Sequence, residues 1–231
     1  MIEVDVVVFD WYNTLAAPHP DDFWTRLPGL IAEAGGTPNR AALLEWEDEH
    51  PIEHVEYSRS EVAYRAWQRE RFERLLRDCG INEPALTHLA EEVEQLRYSR
   101  LFEVFDDVGE VLRALRKDGI VIGICSNWDW DLDRHLRHNR LDDLVDIVVC
   151  SAIHGHRKPH PAIFDTVKDL AKVPAERILF VGDNLHDDIG GATSSGLPSV
   201  HINRDGSCQA DDHADVASCV GDLRSLRALL G

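Results

Sequence analysis

The stretch Val4-Asp5-Val6-Val7-Val8-Phe9-Asp10-Trp11-Tyr12-Asn13-Thr14 decides the fold. Val4–Phe9 is a short, β-branched apolar run that ends at an acid. It reads as a strand buried on both faces, as in a parallel sheet, rather than an amphipathic strand with one wet face. Three similar runs recur at Ile120–Cys125, Asp146–Cys150 and Arg177–Val181, with a weaker fifth at Pro198–Ile202. Helical patterns lie between them. Val108, Val111, Leu112 and Leu115 share one face over Val108–Lys117, and Gly119 is a natural stop. Leu132–Arg140 and Pro161–Leu170 behave similarly. Strands alternating with helices of this length predict right-handed βαβ units. The fold class is therefore α/β, a doubly wound parallel sheet of Rossmann-like kind.

One segment breaks the alternation. From Ala16 to Arg100 no β-branched run occurs, and helical patterns fall at Asp22–Ala34, Arg40–Glu49, Arg59–Cys79 and Glu83–Tyr98. Turn signals at Gly35–Pro38 and Pro51 separate them. The pattern predicts a core domain made of 1–15 and 101–231, with a helical domain, 16–100, inserted after the first strand. The whole chain has 231 residues, room for one domain with an insertion at about 150 residues per domain.

Charge narrows the function classes. Lys and Arg number 24 against 42 Asp and Glu, a formal net charge of −18. Such a chain lacks the basic face that a nucleic acid or an anionic membrane needs, so neither is expected as a partner. An anionic small-molecule substrate would need a local cation. No stretch is long or apolar enough for a transmembrane span, and Met1 leads into Ile2-Glu3-Val4-Asp5 without a basic n-region. The five cysteines, Cys79, Cys125, Cys150, Cys208 and Cys219, form no CxxC pair. Zinc is not expected; free thiols and a cytoplasmic location are, for a monomer or homodimer.

In open α/β sheets ligands bind beyond the carboxyl ends of the strands. Four segments fall there: Asp10-Trp11-Tyr12-Asn13-Thr14, Ser126-Asn127, Arg157-Lys158-Pro159, and Gly182-Asp183-Asn184-Leu185-His186-Asp187-Asp188. Taken singly, each has a plain structural reading. Asp10 and Ser126 could cap helices, Lys158 could be a solvated loop cation, and Asp187-Asp188 could favour a helix N-terminus. His186 reads as a loop residue close enough to carry a proton.

Together and in this order, the four segments resemble the motifs of the haloacid dehalogenase-like (HAD) hydrolase superfamily. The inserted helices resemble its first class of cap domain. The resemblance implies Asp10 as a carboxylate nucleophile and Lys158 as the compact charge that neutralises it and the substrate. It implies Thr14 and Ser126 as donors to substrate oxygens, joined by backbone N–H groups near Tyr12 and Asn13. Several carboxylates this close repel unless a cation lies between them. Asp10, Asp183 and one of Asp187 or Asp188, with the Tyr12 carbonyl, would hold Mg²⁺. Trp11 and Trp128 flank the strand ends and are expected to narrow the pocket, with Asn13 and Asn184 beside them. The Arg and aromatic residues of the insertion read mainly as packing and solvated positions.

Position 12 departs from the phosphatases of that superfamily, which carry a second Asp there to protonate the leaving group. Tyr12 is a poor substitute, because a phenol titrates near pH 10. Its motif, and Ser126-Asn127 with Asn184 and Asp187, resemble the 2-haloacid dehalogenase branch, in which halide leaves without a proton. That branch has an Arg early in the cap, where this chain reads Ala41-Ala42-Leu43-Leu44-Glu45-Trp46-Glu47. It also lacks an acid at the position of Asp183. Phosphonoacetaldehyde hydrolase, with a similar motif one, needs a cap lysine, and 16–100 contains none. The expected activity is Mg²⁺-dependent hydrolysis of a small phosphate monoester. The alternatives are metal-free hydrolysis of a carbon–halogen bond and a non-catalytic binding protein.

Overall fold

The computed structural model describes residues 3–17, 23–48, 50–99, 101–206 and 218–230. Its centre is a six-stranded parallel sheet in the order β3-β2-β1-β4-β5-β6. The strands are β1 (Val6–Phe9), β2 (Val121–Ser126), β3 (Ile147–Cys150), β4 (Ile178–Gly182), β5 (Ser199–Ile202) and β6 (Cys219–Val220). β1 is central, with Val6 opposite Val121 on one side and Ile178 on the other.

The apolar run of β1 is buried on both faces, as its composition requires. Val7 and Phe9 face one layer and Val6 and Val8 the other, because successive side chains of a strand alternate. Val7 and Phe9 pack in a cluster with α5 (Val108–Lys117), α6 (Leu132–His138) and α10 (Leu223–Leu230). Val6 and Val8 pack in a cluster with α8 (Pro161–Ala171) and α9 (Gly191–Ser194). Burying each such side chain fully is worth about 1.5–3 kcal/mol. The chain runs outward from β1 to β3, then returns to β4 on the other side of β1. The switch point therefore lies between β1 and β4, where ligands bind in open sheets.

Among its described residues the insertion forms four helices, α1 (Phe23–Glu33), α2 (Arg40–Asp48), α3 (Glu61–Asp78) and α4 (Ala85–Ser99). The Ser60 hydroxyl caps α3 by accepting from the Ala63 N–H at 3.2 Å. The buried side of α3 serves two clusters. Tyr64 and Trp67 join the sheet-side core, whereas Phe72, Leu75 and Leu76 pack with Phe23, Leu27, Trp46, Leu86 and Val93 in a cluster within the insertion. The two connecting segments run side by side: Ala17 N–H donates to Glu103 O at 2.8 Å, and Phe105 N–H to Leu15 O at 3.0 Å.

A second set of bonds ties the insertion across the strand ends. His54 N–H donates to Gly155 O at 2.7 Å and Arg157 N–H to Ile52 O at 2.8 Å. The buried His54 ring adds an Nε2 contact to Ser151 O at 3.0 Å, beside the short helix α7 (Ser151–His154). β6 leaves no pattern in the sequence, since it is two residues long. Cys79, Cys125 and Cys150 are buried free thiols, whereas Cys219 is disulfide-bonded, which departs from the free thiol expected there. Among the described residues no helix is long and apolar enough to cross a membrane.

Candidate active site

Each of the three central strands delivers a polar group to one edge of the sheet. Asp10 follows β1, Ser126 ends β2 and Asp183 follows β4, while Lys158 arrives from the loop before α8. Asp10, Ser126 and Lys158 are all buried. Lys158 Nζ donates to Asp10 Oδ1 at 2.6 Å, Asp188 Oδ1 at 2.5 Å and the Cys125 carbonyl at 3.0 Å. The Asn127 side chain fixes the Lys158 backbone. Its Oδ1 accepts from Lys158 N–H at 2.8 Å and its Nδ2 donates to Lys158 O at 3.0 Å.

Asn13 and Gly182 shape the carboxylate edge. Asn13 adopts a left-handed backbone, φ 58°, which Asn tolerates better than most residues. Its side-chain amide lies near enough to Asp183 to favour the ionised carboxylate. At Gly182 a Cβ would overlap the Asp188 carboxyl, so only glycine lets that acid turn inward. Residues Leu185–Gly190 form a π-helical turn capped by Asn184, whose Oδ1 accepts from the His186 and Asp187 N–H groups, both at 2.9 Å.

That turn decides between the paired acids. Asp188 points to Lys158, with its Oδ2 accepting from Asn184 N–H at 3.1 Å. Asp187 faces away, toward the His186 ring at 2.8 Å and Asn127 Nδ2 at 3.3 Å. Of the two acids expected as metal ligands, Asp188 and not Asp187 turns its carboxylate toward Asp10 and Asp183. Asn184 is exposed and spent as a cap rather than lining the pocket. Asp10, Asp183 and Asp188 bring oxygens within 4.8 Å of one another. Burial and the Asp10 charge push Asp183 up to about 6, against the pull of Asn13 and Lys158. Burial raises Asp188 too, although Lys158 opposes it. Burial also works against the charge of Lys158, yet Asp10 and Asp188 outweigh it and hold the ammonium well above its ordinary range. One ammonium against three carboxylates leaves an excess of negative charge, and hard oxygen donors of this kind could hold a divalent cation such as Mg²⁺.

A cavity of about 230 Å³ opens between the insertion and this edge. Its apolar wall is Tyr12, Phe23, Trp24, Trp46, Phe102 and Trp128, and its polar lining includes Arg97, Asn127, Asp129 and Arg157. The Tyr12 ring packs edge-on to Phe102 at 5.8 Å and against Trp128 at 6.2 Å. Trp128 lines the cavity, whereas Trp11, expected beside it, has no exposed surface and belongs to the sheet-side core. Trp11 lies two residues beyond Phe9, the last residue of β1, so the strand's alternation carried on puts it on the side of Phe9, in the same cluster. Sequence reasoning missed Arg97, Asp129 and Arg157 as cavity residues. Arg157 alone carried a signal, its place beside Lys158. Thr14 is fully buried and its hydroxyl has no partner among the described residues, while its carbonyl accepts from Arg204 at 2.6 Å.

Comparison with known proteins places this geometry in a family. A model of haloacid dehalogenase-like hydrolases matches residues 4–196. The pyrophosphatase PpaX of Bacillus cereus (strain G9842) is 34% identical over 95 residues, 41% of this chain and 44% of that protein. The chain therefore spans less than half the length of the curated relatives it matches. A 2-haloacid dehalogenase from Pseudomonas syringae pv. Tomato DC3000 superposes with TM-score 0.65 at 26% identity, covering 98% of each chain. A HAD phosphatase from Thermococcus onnurineus superposes with TM-score 0.68 at 23% identity over 99% of this chain and 98% of that one, a likeness of fold alone. With the family model covering most of its length, this chain belongs to the haloacid dehalogenase-like hydrolases.

Proposed function

We propose that the chain hydrolyses a small phosphate monoester or related phosphoryl compound with Mg²⁺ as cofactor. The observation that carries this is the Asp10–Asp183–Asp188 cluster, whose oxygens converge within 4.8 Å around a single lysine. A metal-free site would gain nothing from Asp183, which is held near pH 6 by burial and repulsion. A cation there would relieve both. Asp10, Asp183 and Asp188, with the Tyr12 carbonyl, would hold Mg²⁺, which when bound withdraws charge from the phosphoryl oxygens.

The remaining chemistry belongs to the chain. Asp10 attacks phosphorus and carries the phosphoryl group until water releases it. Lys158 holds Asp10 in place through its 2.6 Å contact, because its ammonium is itself anchored on Asp188 and the Cys125 carbonyl. The unpaired hydroxyl of Thr14 and the buried Ser126 are donors for substrate oxygens. The helical insertion serves as a cap, and its aromatic side chains limit the cavity to a small substrate.

One observation favours a second reading. Tyr12 in an aromatic wall suits an organic halide, whose leaving group needs no proton, and dehalogenases are among the structural neighbours. Assaying p-nitrophenyl phosphate and a small 2-haloacid side by side, each with Mg²⁺ and with chelator, separates the two. Phosphate release that requires Mg²⁺ is expected. Halide release indifferent to chelator would overturn the proposal. Turnover of neither, with none gained on Tyr12→Asp, would leave a binding protein.

A further inference from the structure

The cavity holds a guanidinium that the protein does not use. Arg97 is paired with Asp129 at 2.6 Å, and the same carboxylate accepts from the Tyr64 hydroxyl at 3.2 Å. Arg157 lines the same cavity, and among the described residues its guanidinium has neither a hydrogen-bond acceptor nor an ion-pair partner. Its backbone is nevertheless fixed. Its N–H donates to Ile52 O at 2.8 Å and its carbonyl accepts from His160 N–H at 2.8 Å. Burial works against its charge and Arg97 adds to that, while Tyr64, Asp187 and Asp129 oppose the penalty from a distance without bonding to the guanidinium; the net effect still disfavours the cation. A cation held under those conditions is stabilised by an anion entering beside it.

Among the described residues that line the cavity, no carboxylic acid is free to give up a proton. Position 12 is a phenol set in the aromatic wall. His50 is kept neutral, far below its ordinary range, by burial and by Arg157 and Arg71. The Asp129 carboxylate is occupied by Arg97 and Tyr64. Among the described lining residues, none is an acid ready to protonate a departing oxygen.

Building on the phosphatase reading above, we propose that Arg157 receives the leaving group as an anion, and that the substrate is a phosphoryl compound whose leaving oxygen is weakly basic. Aryl, enol and acyl phosphates and phosphoanhydrides meet that condition; alkyl phosphates do not. Asp10 forms a bond to phosphorus, the bond from phosphorus to the leaving oxygen breaks, and both electrons depart with that oxygen toward the guanidinium. Water then attacks the phosphoryl group on Asp10. The bond to Asp10 breaks, the carboxylate is regenerated, and both protons of the water leave on inorganic phosphate. Charge at Arg157 thus replaces proton transfer.

The test is phosphate release from acetyl phosphate, p-nitrophenyl phosphate, phenyl phosphate and glycerol phosphate, with Mg²⁺, in the wild-type chain and in Arg157→Gln and Arg157→Lys. In the wild type, kcat/KM should fall about tenfold or more from p-nitrophenyl to phenyl phosphate and about a hundredfold or more to glycerol phosphate, the size of a missing general acid. Arg157→Gln should lower kcat and steepen that dependence by roughly another tenfold, and Arg157→Lys should restore part of it. Glycerol phosphate turned over within a few-fold of p-nitrophenyl phosphate would overturn the inference, since it requires a proton donor. So would a dependence unchanged by Arg157→Gln. Phosphate release with a flat series removes this inference and leaves the phosphatase reading standing. No release from any of the four removes both.

Discussion

At the scale of single residues, the chemistry is concentrated in Asp10, Lys158 and the two inward acids. Asp10→Asn should reduce turnover of p-nitrophenyl phosphate to background; retained activity would remove Asp10 as nucleophile. Tyr12→Asp restores an acid where the family's phosphatases have one. It should raise kcat on glycerol phosphate by up to about 10²–10⁴-fold, and on p-nitrophenyl phosphate by much less, because nitrophenolate needs no proton. An equal change on both substrates would mean that proton transfer is not what Tyr12 forfeits. The residue types at the strand ends were legible in the sequence because motif order and strand context constrain them jointly. The choice between Asp187 and Asp188 was not, since a π-helical turn advances the inward side chain by one position and leaves no mark in composition. Asn13 has a left-handed backbone, and its side chain favours the ionised form of Asp183, neither of which leaves a mark in the sequence pattern.

At the scale of elements, the strands were readable because β1, β2 and β4 are buried on both faces and so carry uninterrupted apolar runs. The four inserted helices were readable from their periodicity and from Gly35–Pro38 and Pro51 between them. What faces what was not readable. The aromatic residues of the insertion divide between an internal cluster and the cavity wall, and Trp24 and Trp46 do both. The backbone of Arg157, a cavity residue, is bonded to Ile52 of the insertion, a contact between distant parts of the chain that the sequence does not show. At the site, a Cβ added to Gly182 would overlap the Asp188 carboxyl. Gly182→Ala should lower stability by about 1–3 kcal/mol through overpacking. It should also abolish activity by displacing the acid that anchors Lys158, and thermal unfolding with a parallel assay checks both. Unchanged unfolding and activity would mean that Asp188 has room elsewhere.

At the scale of the whole molecule, the charge of −18 is uneven in its consequences. Most acids are surface charge, while Asp183 and Asp188 are held in a buried edge that disfavours their ionised forms. Asp183 rises from its ordinary 3.8 to about 6, so the unfolded chain gives up that proton at lower pH than the folded one. Its contribution to stability is greatest below about pH 4 and is lost as pH rises to about 6. In chelator, Tm should carry a downward contribution over that window that is absent in Asp183→Asn. At a Mg²⁺ concentration a hundred times its Kd, binding adds about 2.7 kcal/mol. For a chain of this size that is roughly a 5–10 °C rise in Tm at neutral pH. No rise with Mg²⁺, or an equal rise in Asp183→Asn, would contradict the metal assignment. The most direct measurement concerns Asp10 itself: the mass of the peptide bearing it, quenched within the first turnover of p-nitrophenyl phosphate. A phosphoryl group on Asp10 in Mg²⁺, absent in chelator, is the predicted result. An Asp10 that stays unmodified with the phosphate substrate but gains an ester adduct from a 2-haloacid in chelator would contradict it.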